Sequence, residues 1–176
     1  MKRNINSNGY IFLYSTILVV VVAALLTLAA LWLQPYQQRN KEEEKRVKIL
    51  EAAGVVGEGK IEFVEGDLPL YLVNDTICVV PLKGKGLWGP IWGYLAIAPD
   101  GKTILGANFD HKSETPGLGG EITTEKFQSQ FIGKTIASDG KYVPIEFDAI
   151  TGATKTSNGV KEMIDNTLQQ YYWHEP

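Results

Sequence analysis

The run YIFLYSTILVVVVAALLTLAALWL, from Tyr10 to Leu33, holds 24 residues without a charge. Coiled as an α-helix it spans about 36 Å, enough to cross a hydrocarbon core of about 30 Å with some tilt. A segment of this kind divides the chain into a membrane helix and a part that folds in water. Tyr10, Tyr14, Trp32 and Tyr36 sit near its two ends, where interfacial aromatic residues belong. A cleaved signal peptide has a shorter apolar core followed by small residues. Here the bulky stretch LWLQPYQQ follows, which favours an uncleaved anchor. Lys2 and Arg3 precede the span, and Arg39, Lys41, Lys45, Arg46 and Lys48 follow it. The bare Lys/Arg count places the C-terminal side in the cytoplasm.

The pattern after the anchor predicts four parts: a tail over 1–9, the transmembrane helix over 10–34, a helical stalk over 35–54, and one domain over 55–176. The stalk is read as a helix from about Gln37 to Ala53, ended by Gly54, with a solvated polar linker as the alternative. Glu44 and Lys48 have ion-pair spacing there, and Val47, Leu50 and Ala53 form a thin apolar stripe. Beyond it, KIEFV, LPLYLVN and TICVVPL read as strands. Tyr94–Ala98 and Thr103–Phe109 read as a hairpin around Pro99-Asp100-Gly101, and KYVPIEFDAI as a further strand. TTEKFQSQFIG reads as a short helix capped by Thr123 or Thr124, with Phe127 and Phe131 one turn apart. Val160, Met163, Ile164, Leu168 and Tyr171 mark one face of a final helix, with Thr156 or Ser157 as its N-cap. The fold class expected is α+β: a mainly antiparallel sheet flanked by helices.

Composition removes several functions. A net charge of −3 gives no basic surface for nucleic acid. The single cysteine, Cys78, forms no intramolecular disulfide and lies in an apolar run, as a buried inert thiol does. His111 and His174 are the only histidines, so no multi-histidine metal site exists and no metal is expected.

The most informative stretch is DAITGATKTS, Asp148 to Ser157, at the mouth of the final helix. Gly152 and Ala153 leave room for a large group to approach the backbone. Free N–H groups of a first helical turn attract a phosphate. The hydroxyls of Thr151, Thr154, Thr156 and Ser157 can hydrogen-bond that phosphate or be esterified by it. The same residues also suit a plain helix cap.

DAITGATKTS resembles the flavin-attachment pattern of the FMN-binding domain family, D-x-x-(S/T)-G-A-(T/S)-x-(T/S), through Asp148, Thr151, Gly152, Ala153, Thr154 and Thr156. The resemblance implies FMN joined through its phosphate to a threonine by a dedicated flavin transferase. The position in the pattern implies Thr156, with Thr154 second, and gives Asp148 a part in recognition by that enzyme. GLWGPIWGY and SETPGLGGEI are similar to the C subunits of the sodium-pumping NADH:quinone reductases, whose chains join one membrane helix to an FMN-bearing domain. Many of those chains are longer between the stalk and GLWG, whereas this one passes quickly from Glu51 to Leu87. The G subunit of the Rnf ferredoxin:NAD reductases shares the anchor and the attachment pattern. A membrane-anchored module that binds a phosphate ligand without redox chemistry is a further alternative.

The resemblance to these C subunits implies an electron carrier in the bacterial inner membrane, its FMN domain outside the cytoplasm, against the Lys/Arg count. Its partners would be the other subunits of a membrane redox complex. NADH, quinone and sodium would be handled mostly by those subunits. Around HKSETPGLGG, the residues Glu114, Thr115, Gly117, Leu118 and Gly119 are expected beside the flavin. Backbone N–H groups there suit ring carbonyls and nitrogens, and Leu118 suits a ring face. The same residues also suit a plain turn. Trp88 and Trp92 suit either the flavin or the core.

Overall fold

The structure is a computed structural model, and it describes residues 8–66, 68–138 and 140–172. Lys2, Arg3 and His174 lie outside the described residues. The chain divides into two compact units, Met1–Glu44 and Lys45–Pro176.

Helix α1 runs unbroken from Asn8 to Ala52, 45 residues with Pro35 inside it. Proline has no N–H, so the Leu31 carbonyl loses its helical donor there. Every side chain from Ile11 to Leu33 is exposed. A core helix of this hydropathy would be buried; this one is long and apolar enough to cross a membrane and turns no part of that window inward.

In the second unit five strands form an antiparallel meander in chain order: β1 Ile61–Val64, β2 Leu70–Val73, β3 Ile77–Lys85, β4 Pro90–Ile97 and β5 Ile104–His111. The hairpin expected around Pro99-Asp100-Gly101 is β4–β5, with Asp100 accepting hydrogen bonds from Lys102 and Thr103. Pro81 is tolerated inside β3 because β2 pairs with that strand no further than Val79.

The side chains of the central strands alternate between two cores. Val80 and Leu82 of β3 and Ile91, Leu95 and Ile97 of β4 face one side, while Val79 and Ala96 face the other. The last residues of α1 cover the second face with Ile49, Leu50 and Ala52, joined by Ala53. Val47, expected in that stripe, is exposed instead. Lys48 pairs with Asp110 of β5, and Arg46 donates to the Gly59 carbonyl at 2.7 Å.

The first face is covered by the last helix, Thr154–Tyr172, and by a cluster of phenylalanines. Val160, Met163, Ile164 and Leu168 of that helix are buried, as the periodicity requires. Phe109, Phe127, Phe131 and Phe147 pack with ring centroids 4.9 to 6.1 Å apart, largely edge to face. The single helix expected over TTEKFQSQFIG is three short pieces: a 3-10 turn Gly119–Thr123, α2 Glu125–Gln128 and a 3-10 turn Ser129–Phe131. The last helix is therefore α3. Thr124 precedes α2 without capping it, its hydroxyl turning back to the Glu121 carbonyl at 2.7 Å. Turning both phenylalanines onto the same core sets the path of this segment more than its local helical preference does.

KYVPIEFDAI is not a continuous strand. Only Lys141–Tyr142 (β7) pairs, with Ala137–Ser138 (β6). Pro144 offers no donor to extend the ladder, and the chain then lays Ile145 and Phe147 on the core without a partner strand. Cys78 is half-buried, and burial pushes its thiol pKa up, in keeping with an inert residue.

Phe131 is fully buried and touches both Phe109 and Phe147. Phe131→Ala should lower the unfolding free energy of the detergent-solubilised chain by about 3–5 kcal/mol, read from denaturant midpoints.

Candidate functional site

α3 can begin where it does because two glycines let it lie close on the end of β3. A Cβ at Gly159 would sit 2.4 Å from the Lys85 carbonyl oxygen, and one at Gly84 would sit 2.7 Å from the Met163 Cβ. This contact delivers the first turn of α3 to the β3–β4 connection and to the segment following β5. The two stretches that stood out in the sequence, Ser113–Gly120 and Asp148–Ser157, meet there.

The helix starts at Thr154, so Ala153 occupies the cap position and neither Thr156 nor Ser157 is the N-cap. Both are turned inward instead. Ser157 Oγ donates to the Ala153 carbonyl at 3.1 Å and accepts the Ile150 N–H at 3.0 Å, tying the turn to the helix. Thr156 Oγ1 donates to Glu114 Oε2 at 2.6 Å, a contact bridging 42 residues of sequence. Thr156 is 1% and Glu114 is 4% exposed, so both ends of this bond are out of water.

Glu114 is held on its other side by the Trp88 N–H, 2.8 Å from Oε1. Its own N–H donates to His111 Nδ1 at 3.2 Å. Burial pushes the carboxyl pKa up, but hydrogen bonds from Thr156, Trp88 and Gly89 outweigh it and hold it below the usual value. Among the described residues no buried side-chain nitrogen or oxygen lacks a partner. A hydrogen bond to an ionised carboxylate is worth about 1.5–3 kcal/mol.

Gly119 lies over the pair. A Cβ there would be 2.5 Å from Glu114 Oε2 and 2.7 Å from Thr156 Oγ1. Leu118, 42% exposed, reaches across to Gly152, where a Cβ would approach its Cδ2 to 3.0 Å. Not all the N–H groups of this loop are free: those of Leu118 and Gly120 donate to the Thr115 carbonyl. Thr115 and Gly117 are exposed, as are Thr151 and Thr154. Trp88 is 67% exposed, so it lies outside the core and contributes its backbone. Trp92 is half-buried in β4.

Beside this knot opens a cleft of about 580 Å³, lined by Gly117, Glu121, Lys126, Phe127, Gln130 and the turn from Asp148 to Thr151 among others. That volume falls within the range of small-molecule sites, roughly 300–1,000 Å³. Gln130 clamps the turn, accepting the Asp148 N–H at 2.8 Å. Sequence reasoning did not reach Gln130, Lys126 or the Trp88 N–H, because the patterns of their segments, a short helix and an aromatic strand, give no sign of which tertiary partner each group meets. His111 had a local signal: it stands three residues before Glu114, the spacing of a side chain that receives a backbone N–H.

The first helical bond of α3 runs from the Ser157 N–H to the Ala153 carbonyl at 3.0 Å. The N–H groups of residues 154–156 precede it and suit an anion. These N–H groups and the adjacent cleft fit a phosphate-bearing cofactor at the start of α3.

Residues 86–169 match the FMN-binding domain family. The solved structure of the Na(+)-translocating NADH-quinone reductase C subunit from Parabacteroides distasonis is 32% identical, with a TM-score of 0.66 over 82% of this chain and 98% of that one. This chain belongs to that C-subunit family. The C subunit of Pasteurella multocida is 42% identical over 118 residues, 57% of this chain and 45% of that protein. The C subunit of Vibrio anguillarum is 27% identical over 217 residues, 84% of this chain and 85% of that protein. The chain thus spans about half the length of the first of these relatives and most of the second. The Shewanella oneidensis structure, 23% identical with a TM-score of 0.60, shares the fold. The matched domain contains both Glu114 and Thr156.

The Glu114 pKa is lower in the folded than in the unfolded chain, so its stabilisation is complete above the ordinary value of 4.5 and is lost as pH falls through the folded value. Denaturant midpoints measured on either side of pH 4.5 should therefore fall more steeply with acid in the wild type than in Glu114→Gln.

Proposed function

We propose that this chain is the FMN-carrying, membrane-anchored electron-transfer subunit of a sodium-pumping NADH:quinone reductase, with FMN joined through its phosphate to Thr156. The observation that carries this reading is that the FMN-binding domain match contains a threonine whose hydroxyl is set, in the first turn of α3, on a buried carboxylate. A simple capping residue would have no use for that partner. Thr154, the second candidate, is exposed at the helix start.

FMN bound here would supply one- and two-electron redox chemistry, and the protein would set its position and potential. The N–H groups at the start of α3 would hold the phosphodiester charge. Gly117, Thr151 and Asp148 would border the flavin along the cleft. A covalent link would keep the carrier from dissociating between turnovers. The apolar part of α1 would fix the domain to the bacterial inner membrane, on the periplasmic face as the family resemblance implies. NADH, quinone and sodium would be served mainly by companion subunits.

Produced together with a flavin transferase, the wild-type chain should show an intact mass raised by one FMN moiety and in-gel fluorescence after denaturation. Thr156→Val should abolish both, and Thr154→Val should retain both. Fluorescence surviving in Thr156→Val but lost in Thr154→Val would move the attachment to Thr154.

A further inference from the structure

We propose that Gln130 is a positioning residue for the flavin: its side-chain amide stands in for a missing strand and fixes the turn from Asp148 to Thr151 as one wall of the cleft. The inference rests on the reading that FMN lies along this cleft, whichever hydroxyl bears it.

The chain from Val143 to Ile150 belongs to no helix or strand, yet it keeps a strand's alternation. Ile145 and Phe147 pack on the core, while Glu146 and Asp148 are exposed. Such a segment lacks a ladder to receive its backbone N–H and C=O groups, so other partners must supply the bonds. Side chains from the preceding stretch do so. Lys134 Nζ donates to the Glu146 carbonyl at 2.6 Å. Gln130 Oε1 accepts the Asp148 N–H at 2.8 Å, and its Nε2 donates to the Asp148 carbonyl at 3.4 Å. A primary amide carries an acceptor and a donor side by side, so it meets both polar groups of one residue as a paired strand residue would. The shorter bond carries most of the hold.

Gln130 can do this because its backbone is fixed. It precedes Phe131, which is fully buried and packs on Phe109, Phe127 and Phe147. Beyond the clamped Asp148, the Ile150 N–H donates to Ser157 Oγ at 3.0 Å. Asp148 is thus tied to the phenylalanine cluster and Ile150 to α3, with exposed Ala149 held between them. Gln130, Asp148, Ala149, Ile150 and Thr151 all line the cleft. A covalent link fixes a flavin at its phosphate and leaves the ring to be oriented by the surrounding walls. The potential depends on the dipoles and water that those walls set around the ring. Gln130 keeps one of the walls in place.

The test uses the full chain in detergent, produced together with flavin transferase, with intact mass confirming the load. Time-resolved fluorescence anisotropy reads the local motion of the flavin. The wild type should depolarise mainly with the tumbling of the whole particle. Gln130→Met should raise the amplitude of the fast component about five-fold, as the loss of one hydrogen bond predicts, and exchange of the Asp148 amide hydrogen should quicken by a similar factor. Gln130→Glu keeps the acceptor for that N–H and should restore wild-type motion. Lys134→Met removes the neighbouring bond to Glu146 and should leave the flavin as it is, so a general loosening of the segment gives a different result. Unchanged flavin motion in Gln130→Met, or equal loosening in Lys134→Met, overturns the proposal. So does fast local motion in the wild type, a measurement that needs no variant to fold. A wild-type chain that gains no mass would instead sink the FMN reading on which the proposal rests.

Discussion

A polar bond between two buried side chains, far apart in sequence, is stable in this domain only because the surrounding apolar packing holds both in place. The carboxylate of Glu114 would be costly to bury alone. It is tolerated because a hydroxyl and backbone N–H groups converge on it. Those donors arrive from the β3–β4 turn and from α3, and they converge only if α3 lies close on the sheet. Gly84 and Gly159 permit that approach. Each layer therefore depends on the one beneath: sheet register places Lys85, Lys85 seats Gly159, and Gly159 fixes where Thr156 points.

Much of this was legible from residue patterns. The uncharged run, the Pro-Asp-Gly hairpin and the apolar face of the last helix each rest on a local physical rule, and each stands in the structure. The pattern from Asp148 to Thr156 and the glycine loop around Leu118 stood out separately, and the fold brings them side by side. What failed were inferences about short segments whose conformation is decided by distant partners. Phe127 and Phe131 suggested one helix, yet the core bends that stretch into three pieces. Val143 and Ile145 suggested a strand, but Pro144 and the lack of a neighbour leave most of it irregular.

The site's central pairing was also out of reach. Thr156 and Ser157 are favourable capping residues, and the sequence alone offers no reason to exclude that use. The helix begins earlier than a cap at either residue would place it. Both side chains thereby become available for tertiary bonds. Glu114 stood out by its neighbours, not its partner, since nothing local relates it to a residue 42 positions on. Trp88 misleads in the opposite direction: its large apolar ring suggests the interior, but the ring is exposed and the useful atom is its amide nitrogen.

The meander has a kinetic corollary. Every strand of the five-stranded sheet pairs with its immediate neighbour in the chain, so those contacts close short loops and form readily. Docking of the C-terminal helix closes a much longer loop and comes at greater entropic cost. A chain caught between those events would possess the sheet yet lack the threonine–glutamate couple. Completion of that couple therefore requires the last helix to have docked on the sheet.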